Sequence, residues 1–212
     1  FCDLNFPTSE ERAQGREDFK RGIEAAVDLG APVVMLPVAG KEEFTRDESR
    51  QNYLAGLKEV IDFADEAGVT VTVENFPSHH SPFIVSDDVL AAVSEIPQLR
   101  VTFDNGNVTT GGESAPESFS NCAPYVVHAH FKDWAWCEQD DPGARIGLDG
   151  KYRRAVLVGD GYVDQFGCVK AMAEYGYDGY INFEYEGSEL TPREATIEGV
   201  RRMREWIAQA TS

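Results

Sequence analysis

Four short segments of the chain alternate apolar and polar residues, and each ends in an acidic residue or a histidine. The segments are 69–74, 99–104, 126–130 and 180–184, and their last residues are Glu74, Asp104, His130 and Glu184. Neighbouring side chains of a strand point to opposite faces, so each terminal residue shares its face with polar side chains. The pattern predicts four strands, each with a potential metal ligand at the carboxyl end of its polar face.

Segments with helical periodicity separate these strands. The predicted helices cover about 9–29, 53–64, 89–93, 117–122 and 166–175. The first helix follows a capping box at Thr8 and Glu11, and a last helix follows a capping box at Thr191 and Glu194. The apolar faces of the first and last helices are expected to bury Val27, Ile197 and Ile207. A further buried strand is expected over 32–38.

The alternation of strands and helices predicts a single α/β domain over residues 1–212 with a parallel sheet. A doubly wound sheet would carry strands that are apolar on both faces. Here one face is polar, which favours a (β/α)8 TIM barrel with functional groups at the carboxyl ends of its strands. Residues 135–162 interrupt the alternation, and we expect a long loop insertion there with a hairpin over 151–158.

The number of strands falls short of a complete barrel. Five full strands and one strand end at the N-terminus are predicted, which correspond to the end of the third barrel strand through the eighth. We therefore expect that about three βα units ahead of Phe1 are absent from this sequence or come from another chain.

Composition narrows the classes of function. The formal net charge of −18 argues against nucleic acid or an anionic membrane as a partner, and no apolar run reaches membrane-spanning length. The cysteines are scattered, at positions 2, 122, 137 and 168, in a spacing that indicates neither a zinc knuckle nor a disulfide framework. Reduced thiols and a cytoplasmic location are the expectation.

The four strand-end residues are three carboxylates and one imidazole. Such a donor set suits one divalent ion, Mn²⁺ or Mg²⁺ in the first place, with Co²⁺ and Zn²⁺ as alternatives. Mn²⁺ is the preferred ion.

Several motifs surround these residues. They are Val-Glu-Asn-Phe ending at 76, Thr-Phe-Asp-Asn-Gly-Asn ending at 107, Val-His-Ala-His-Phe-Lys-Asp ending at 133, Val-Gly-Asp-Gly-Tyr-Val-Asp ending at 164 and Tyr-Ile-Asn-Phe-Glu-Tyr-Glu ending at 186. In this order they resemble the sugar phosphate isomerase/epimerase family, the xylose isomerase-like TIM barrels. The resemblance implies that Glu74, Asp104, His130 and Glu184 bind the metal.

The resemblance also implies an activity. It is isomerisation or epimerisation of a sugar or a related polyhydroxy carbonyl compound, in which Glu74 and Glu184 transfer the proton and the metal stabilises an enediolate.

Substrate contacts are expected from Asn107, Lys132, Trp136 and His79. Sugar epimerases of the family carry a histidine at the position of Asn107 and an arginine at that of Trp136, so the substrate is expected to be held differently. Lys132 is interpreted as an oxyanion-binding group or a surface lysine, and His79 as a residue of the pocket mouth or a solvated one. His128 is expected to be a buried, hydrogen-bonded core histidine.

Three alternatives remain at this point. A metal-dependent lyase on 3-keto-glycosides, resembling C-glycoside deglycosidases with their small β-rich partner subunit, is the runner-up, and a non-catalytic sugar-binding barrel is the second alternative. A hydrolase resembling endonuclease IV fits poorly, since the chain has four histidines and a charge of −18. The expected partners are a small sugar-like substrate and either a second copy of the chain or a small subunit.

Overall fold

A five-stranded parallel sheet forms the centre of the computed structural model, which describes residues 3–212. Its strands are β1 (Val33–Leu36), β2 (Thr70–Glu74), β3 (Arg100–Asp104), β4 (Val126–Phe131) and, after an insertion, β8 (Tyr180–Phe183). They lie side by side in the order β1-β2-β3-β4-β8, so the sheet winds in one direction only. A doubly wound sheet reverses its strand order, so the observed order supports the barrel-type winding that the polar strand faces predict.

Six helices connect and cover the strands. They are α1 (Ser9–Leu29), α2 (Arg46–Glu66), α3 (Ser86–Glu95), α4 (Ala115–Cys122), α5 (Gln165–Tyr175) and α6 (Pro192–Ala210), with 3₁₀ turns at Asn107–Gly111 and Ala123–Tyr125. Capping boxes at Thr8 and Thr191 start α1 and α6, as predicted from sequence. A third capping box at Thr45 starts α2.

The strand register confirms the predicted phase. Asp104 pairs with His130 and His130 with Asn182, so these residues share one face of the sheet. On the other face, Val71 and Phe103 belong to the buried core. Glu184 follows the last residue of β8, where its backbone N–H still donates to a carbonyl of β4.

The insertion is not the long loop expected from its composition. It forms a three-stranded antiparallel sheet in the order β5-β7-β6, from β5 (Asp133–Trp136), β6 (Arg145–Ile146) and β7 (Tyr152–Val156). The hairpin expected over 151–158 is wrong, because that segment is the single central strand β7 with a partner on each side.

The two end helices are less buried than their apolar patterns predict. Val27 of α1 and Ile197 of α6 are 49% and 58% exposed, and Ile207 is also exposed. Within residues 3–212, α2 is the main helical neighbour of α1 and α5 is that of α6, and part of the apolar face of each end helix meets solvent.

The N-terminal segment and the first strand differ from expectation. Residues 3–6 form no strand, and positions 1 and 2 of the strand end predicted there lie outside the described residues. Strand β1 is shorter than the predicted 32–38 and only partly buried, because it lies at an edge of the sheet. None of the described helices combines the length and apolar character needed to cross a membrane.

Candidate metal centre

The four residues predicted as metal ligands lie together at the carboxyl ends of β2, β3, β4 and β8. One oxygen or nitrogen from each side chain lies within 4.8 Å of the others. Glu74 and Asp104 are buried, whereas His130 and Glu184 are partly accessible. The sheet therefore brings the predicted donors together, and their role as ligands stays a prediction.

His130 lies between the two glutamates. Its Nδ1 is 2.6 Å from Glu74 Oε1 and 3.6 Å from Glu184 Oε2. Burial lowers the pKa of His130, but the hydrogen bond to Glu74 and the surrounding carboxylates outweigh burial and raise it. His128 lies one layer deeper with its ring 5.3 Å from that of His130, and it is only partly buried, so the expectation of a buried core histidine is wrong.

The two carboxylate oxygens of Asp104 differ in their hydrogen bonds. Its Oδ1 accepts the backbone N–H groups of Gly106 and Asn107 at 2.9 and 2.7 Å. Its Oδ2 is buried and has no hydrogen-bond partner among the described residues. Burial raises the pKa of Asp104 to about 8, against the opposing effect of the Lys132 ammonium. A buried carboxylate oxygen without a donor, beside two more carboxylates and an imidazole, fits a divalent cation.

Lys132 enters the same cluster two residues after His130. Its Nζ lies 2.8 Å from Glu184 Oε1, 3.4 Å from Asp104 Oδ2 and 3.3 Å from Glu186 Oε2. Only 4% of the residue is exposed, so the interpretation as a surface lysine is wrong. The ammonium partly neutralises the acidic cluster.

Two asparagines that sequence reasoning missed hold the strand ends in place. The Asn75 side chain accepts the backbone N–H of Asp104 and donates to its carbonyl oxygen, at 2.9 and 2.7 Å. The Asn105 side chain accepts the backbone N–H of Lys132 and donates to Gln165, whose amide donates to the Lys132 carbonyl. Each asparagine directly follows a predicted ligand. This repetition, Glu-Asn after one strand and Asp-Asn after the next, is the sequence feature from which their role could have been predicted.

Comparison with known proteins identifies the family. The family model described as xylose isomerase-like TIM barrel matches residues 1–206. The chain belongs to the xylose isomerase-like TIM barrel family. The expectations of a single domain over 1–212 and of βα units ahead of Phe1 stay predictions.

The curated relatives of the chain include a sugar epimerase. The chain is 26% identical over 194 residues to an uncharacterized protein of Methanocaldococcus jannaschii, covering 87% of the chain and 61% of that protein. It is 28% identical over 211 residues to L-ribulose-5-phosphate 3-epimerase UlaE of Salmonella enteritidis, covering 95% of the chain and 67% of the enzyme. The chain thus spans about two thirds of the length of these curated relatives.

A solved structure supports the same fold. The IolI protein, determined with a bound zinc atom, superposes with a TM-score of 0.80 at 17% identity, covering 100% of the chain and 75% of that protein.

The predicted substrate residues lie in three different surroundings. Asn107 is buried next to Asp104, and both polar atoms of its side chain lack a partner among the described residues. His79 lines a cavity of about 490 Å³ with Arg145 and Glu186. Trp136 is half-exposed and stacks on Tyr162 at 4.2 Å, in the insertion. Their contact with substrate stays a prediction.

The tryptophans and arginines of the insertion lie in different surroundings. Arg145 lines the cavity and pairs with Glu186, whereas Trp134 and Arg153 are fully buried inside the insertion. Arg153 donates to the Thr109 carbonyl and pairs with Asp149 there. Arg145 therefore contributes to the cavity, whereas Trp134 and Arg153 help to build the small sheet.

Proposed function

We propose that this chain carries the metal and acid/base residues of a divalent-metal-dependent isomerase or epimerase acting on a sugar or a related polyhydroxy carbonyl compound. The proposal rests on the group of three carboxylates and one imidazole within 4.8 Å, in which the buried Asp104 Oδ2 accepts no hydrogen bond from the described residues and has the Lys132 ammonium 3.4 Å away. The name of the Salmonella relative, L-ribulose-5-phosphate 3-epimerase, supports the reaction class.

Mn²⁺ is the proposed ion, held by Glu74, Asp104, His130 and Glu184. Three hard oxygen donors and one nitrogen favour Mn²⁺ or Mg²⁺, and the zinc atom of the IolI protein keeps Zn²⁺ among the alternatives. When bound, the ion supplies Lewis-acid polarisation of a carbonyl oxygen, which acidifies the neighbouring C–H group.

Glu74 and Glu184 are the proposed proton carriers. They belong to β2 and the end of β8, with β3 and β4 between them, so they reach the site from its two sides. One glutamate takes the proton from the carbon beside the carbonyl group, and the other returns a proton to the substrate. Glu74 is buried against His130, whereas the Glu184 side chain is partly accessible beside Lys132, so the two carboxylates have different surroundings.

Asn107 is the proposed partner for a substrate hydroxyl group. Its amide offers a donor and an acceptor without partners, and a buried amide gains most from a ligand that satisfies both. A substrate that lacks this hydroxyl would leave the amide unsatisfied and bind more weakly.

Proton exchange tests the proposal. The protein with Mn²⁺ is incubated in D₂O with free ketoses and ketose phosphates, and deuterium at the carbon beside the carbonyl is measured by mass spectrometry. We expect exchange in the native protein and a loss of about 10²-fold or more in Glu74→Gln and in Glu184→Gln. Glu189→Gln, at an exposed glutamate, is the matched control and should keep the native rate.

Two outcomes would contradict the proposal. One is a native protein that binds no divalent ion and exchanges no deuterium with any ketose. The other is exchange that persists in both glutamine variants. Release of an aglycone from 3-keto-glycosides would instead indicate the lyase reaction.

A further inference from the structure

A buried ammonium group lies beside two of the four proposed metal ligands. Lysine is rarely buried unless it is paired, and Lys132 is paired three times, with Asp104, Glu184 and Glu186. Two of these partners are proposed metal ligands. The ammonium and a divalent ion therefore compete for the same two carboxylates.

The competition is electrostatic. A cation within 4 Å of Asp104 Oδ2 and Glu184 Oε1 repels a second cation bound to the same carboxylates, and the repulsion is stronger in a partly buried site than in water. Without an ion, the same ammonium offsets the mutual repulsion of the carboxylates.

A second position for the ammonium already exists. Glu186 lies 3.3 Å from Lys132 Nζ and borders the cavity of about 490 Å³. The ring of Trp134, 5.8 Å from Nζ, adds a cation–π contact on this side.

The stem of the side chain is held while its end can turn. A Cβ atom added to Gly106 would lie 2.5 Å from Lys132 Cγ, so the glycine is in close contact with the stem. The bonds beyond Cγ are therefore those about which Nζ would move from Asp104 and Glu184 toward Glu186.

We propose that Lys132 is the counter-cation of the metal-free site and that a divalent ion displaces its ammonium toward Glu186, at the border of the substrate cavity. The inference rests on the proposed metal site. It has two consequences: the site binds its ion more weakly than the four ligands alone would, and the loaded site keeps a positive charge beside the substrate.

Metal affinity is the direct test. Mn²⁺ binding to the full chain is measured by competition with a fluorescent chelator for the native protein, Lys132→Met and Lys170→Met. We expect about tenfold tighter binding or more in Lys132→Met, since the competing charge is gone. Lys170→Met makes the same change of charge at an exposed site on α5 and should bind as the native protein does.

Thermal unfolding adds a readout that does not depend on turnover. In EDTA, Lys132→Met should melt below the native protein because the buried carboxylates have lost their counter-charge. Saturating Mn²⁺ should then raise its melting temperature by more than it raises that of the native protein. A variant that folds only when Mn²⁺ is present also supports the proposal.

Glu186→Gln tests the second position and does not depend on the stability of the lysine variant. Loss of the Glu186 charge removes the outer partner of the ammonium, so Mn²⁺ should bind several-fold more weakly than to the native protein. Glu189→Gln is the charge-matched control and should show native affinity. Fixed charges alone also give opposite shifts in Lys132→Met and Glu186→Gln, so the double variant tests displacement: there the effect of Glu186→Gln should shrink, because no ammonium is left to move.

Two failures are distinguishable. Native protein that binds no divalent ion overturns the proposed function and this inference with it. Native protein that binds Mn²⁺, together with a Lys132→Met variant that binds it equally or more weakly, overturns the inference alone. If Lys132→Met does not fold under any condition, the Mn²⁺ affinity of Glu186→Gln is the remaining test. A Glu186→Gln variant that binds Mn²⁺ as tightly as the native protein overturns the proposal.

Discussion

The Asp133 carboxylate is the anchor of the inserted sheet, and its removal should destabilise the protein strongly. Its Oδ1 accepts the backbone N–H groups of Trp134 and Val163 at 2.8 and 3.1 Å, and its Oδ2 accepts those of Gly159 and Gly161 at 2.8 and 3.1 Å. The residue is fully buried. Four backbone donors from two segments therefore depend on one side chain.

In Asp133→Asn, one oxygen becomes an NH₂ group that cannot accept. Two of the four N–H groups lose their acceptor whichever way the amide is oriented. A buried donor without an acceptor costs ~1–3 kcal/mol, so two of them are expected to lower the unfolding free energy by about 2–6 kcal/mol. Domains are typically stable by only ~5–15 kcal/mol, so this loss is large.

Urea unfolding followed by tryptophan fluorescence measures the effect. Asp160→Asn is the control in the same loop: its exposed carboxylate pairs with Arg202, and loss of such a surface pair costs ~0–1 kcal/mol. A loss in Asp133→Asn of less than 1 kcal/mol, equal to that of the control, would falsify the reasoning that the carboxylate holds the two segments together.

Three further predictions concern single contacts. Glu113→Ala should lower the unfolding free energy by ~0.5–2 kcal/mol in urea unfolding. The Glu113 carboxylate accepts hydrogen bonds from the backbone N–H and the hydroxyl group of Ser86, at the start of α3. Unchanged stability would contradict this role. Burial raises the pKa of the Cys122 thiol to about 12, so peptide mapping after alkylation at pH 8 should find partly exposed Cys137 modified first. Equal labelling of both thiols in the native protein would refute it. In Gly40→Ala, the added Cβ would lie 1.8 Å from a backbone carbonyl oxygen. We expect the unfolding free energy measured in urea to fall by ~1–3 kcal/mol. A variant as stable as the native protein would contradict this close contact.

The parts of the fold that were predictable from the sequence depend on short local patterns. The period of two places Glu74, Asp104 and His130 on one face of their strands, and the register of the sheet agrees. Capping boxes predicted the starts of α1 and α6 because the acceptor and its donor are three residues apart. Such features depend on neighbouring residues alone.

The remainder depends on contacts between distant residues. The sequence around Lys132 is compatible with a surface or a buried lysine. The residue is buried because Glu184, 52 positions later, packs against its ammonium group. The insertion contains many glycines and aspartates, which are typical of loops, yet its central strand β7 has partners on both sides. Exposure of Val27 followed from the number of helices beside α1, which periodicity does not reveal.

The asparagines after the ligands have a consequence for how this scaffold can change. Asn75 and Asn105 tie adjacent strand ends together one residue beyond Glu74 and Asp104, before the connecting loops begin. Insertions and substitutions in those loops therefore leave the spacing of the ligands unaltered. Substrate preference, which such loops often carry, is free to diverge over evolutionary time while the predicted metal site keeps its geometry.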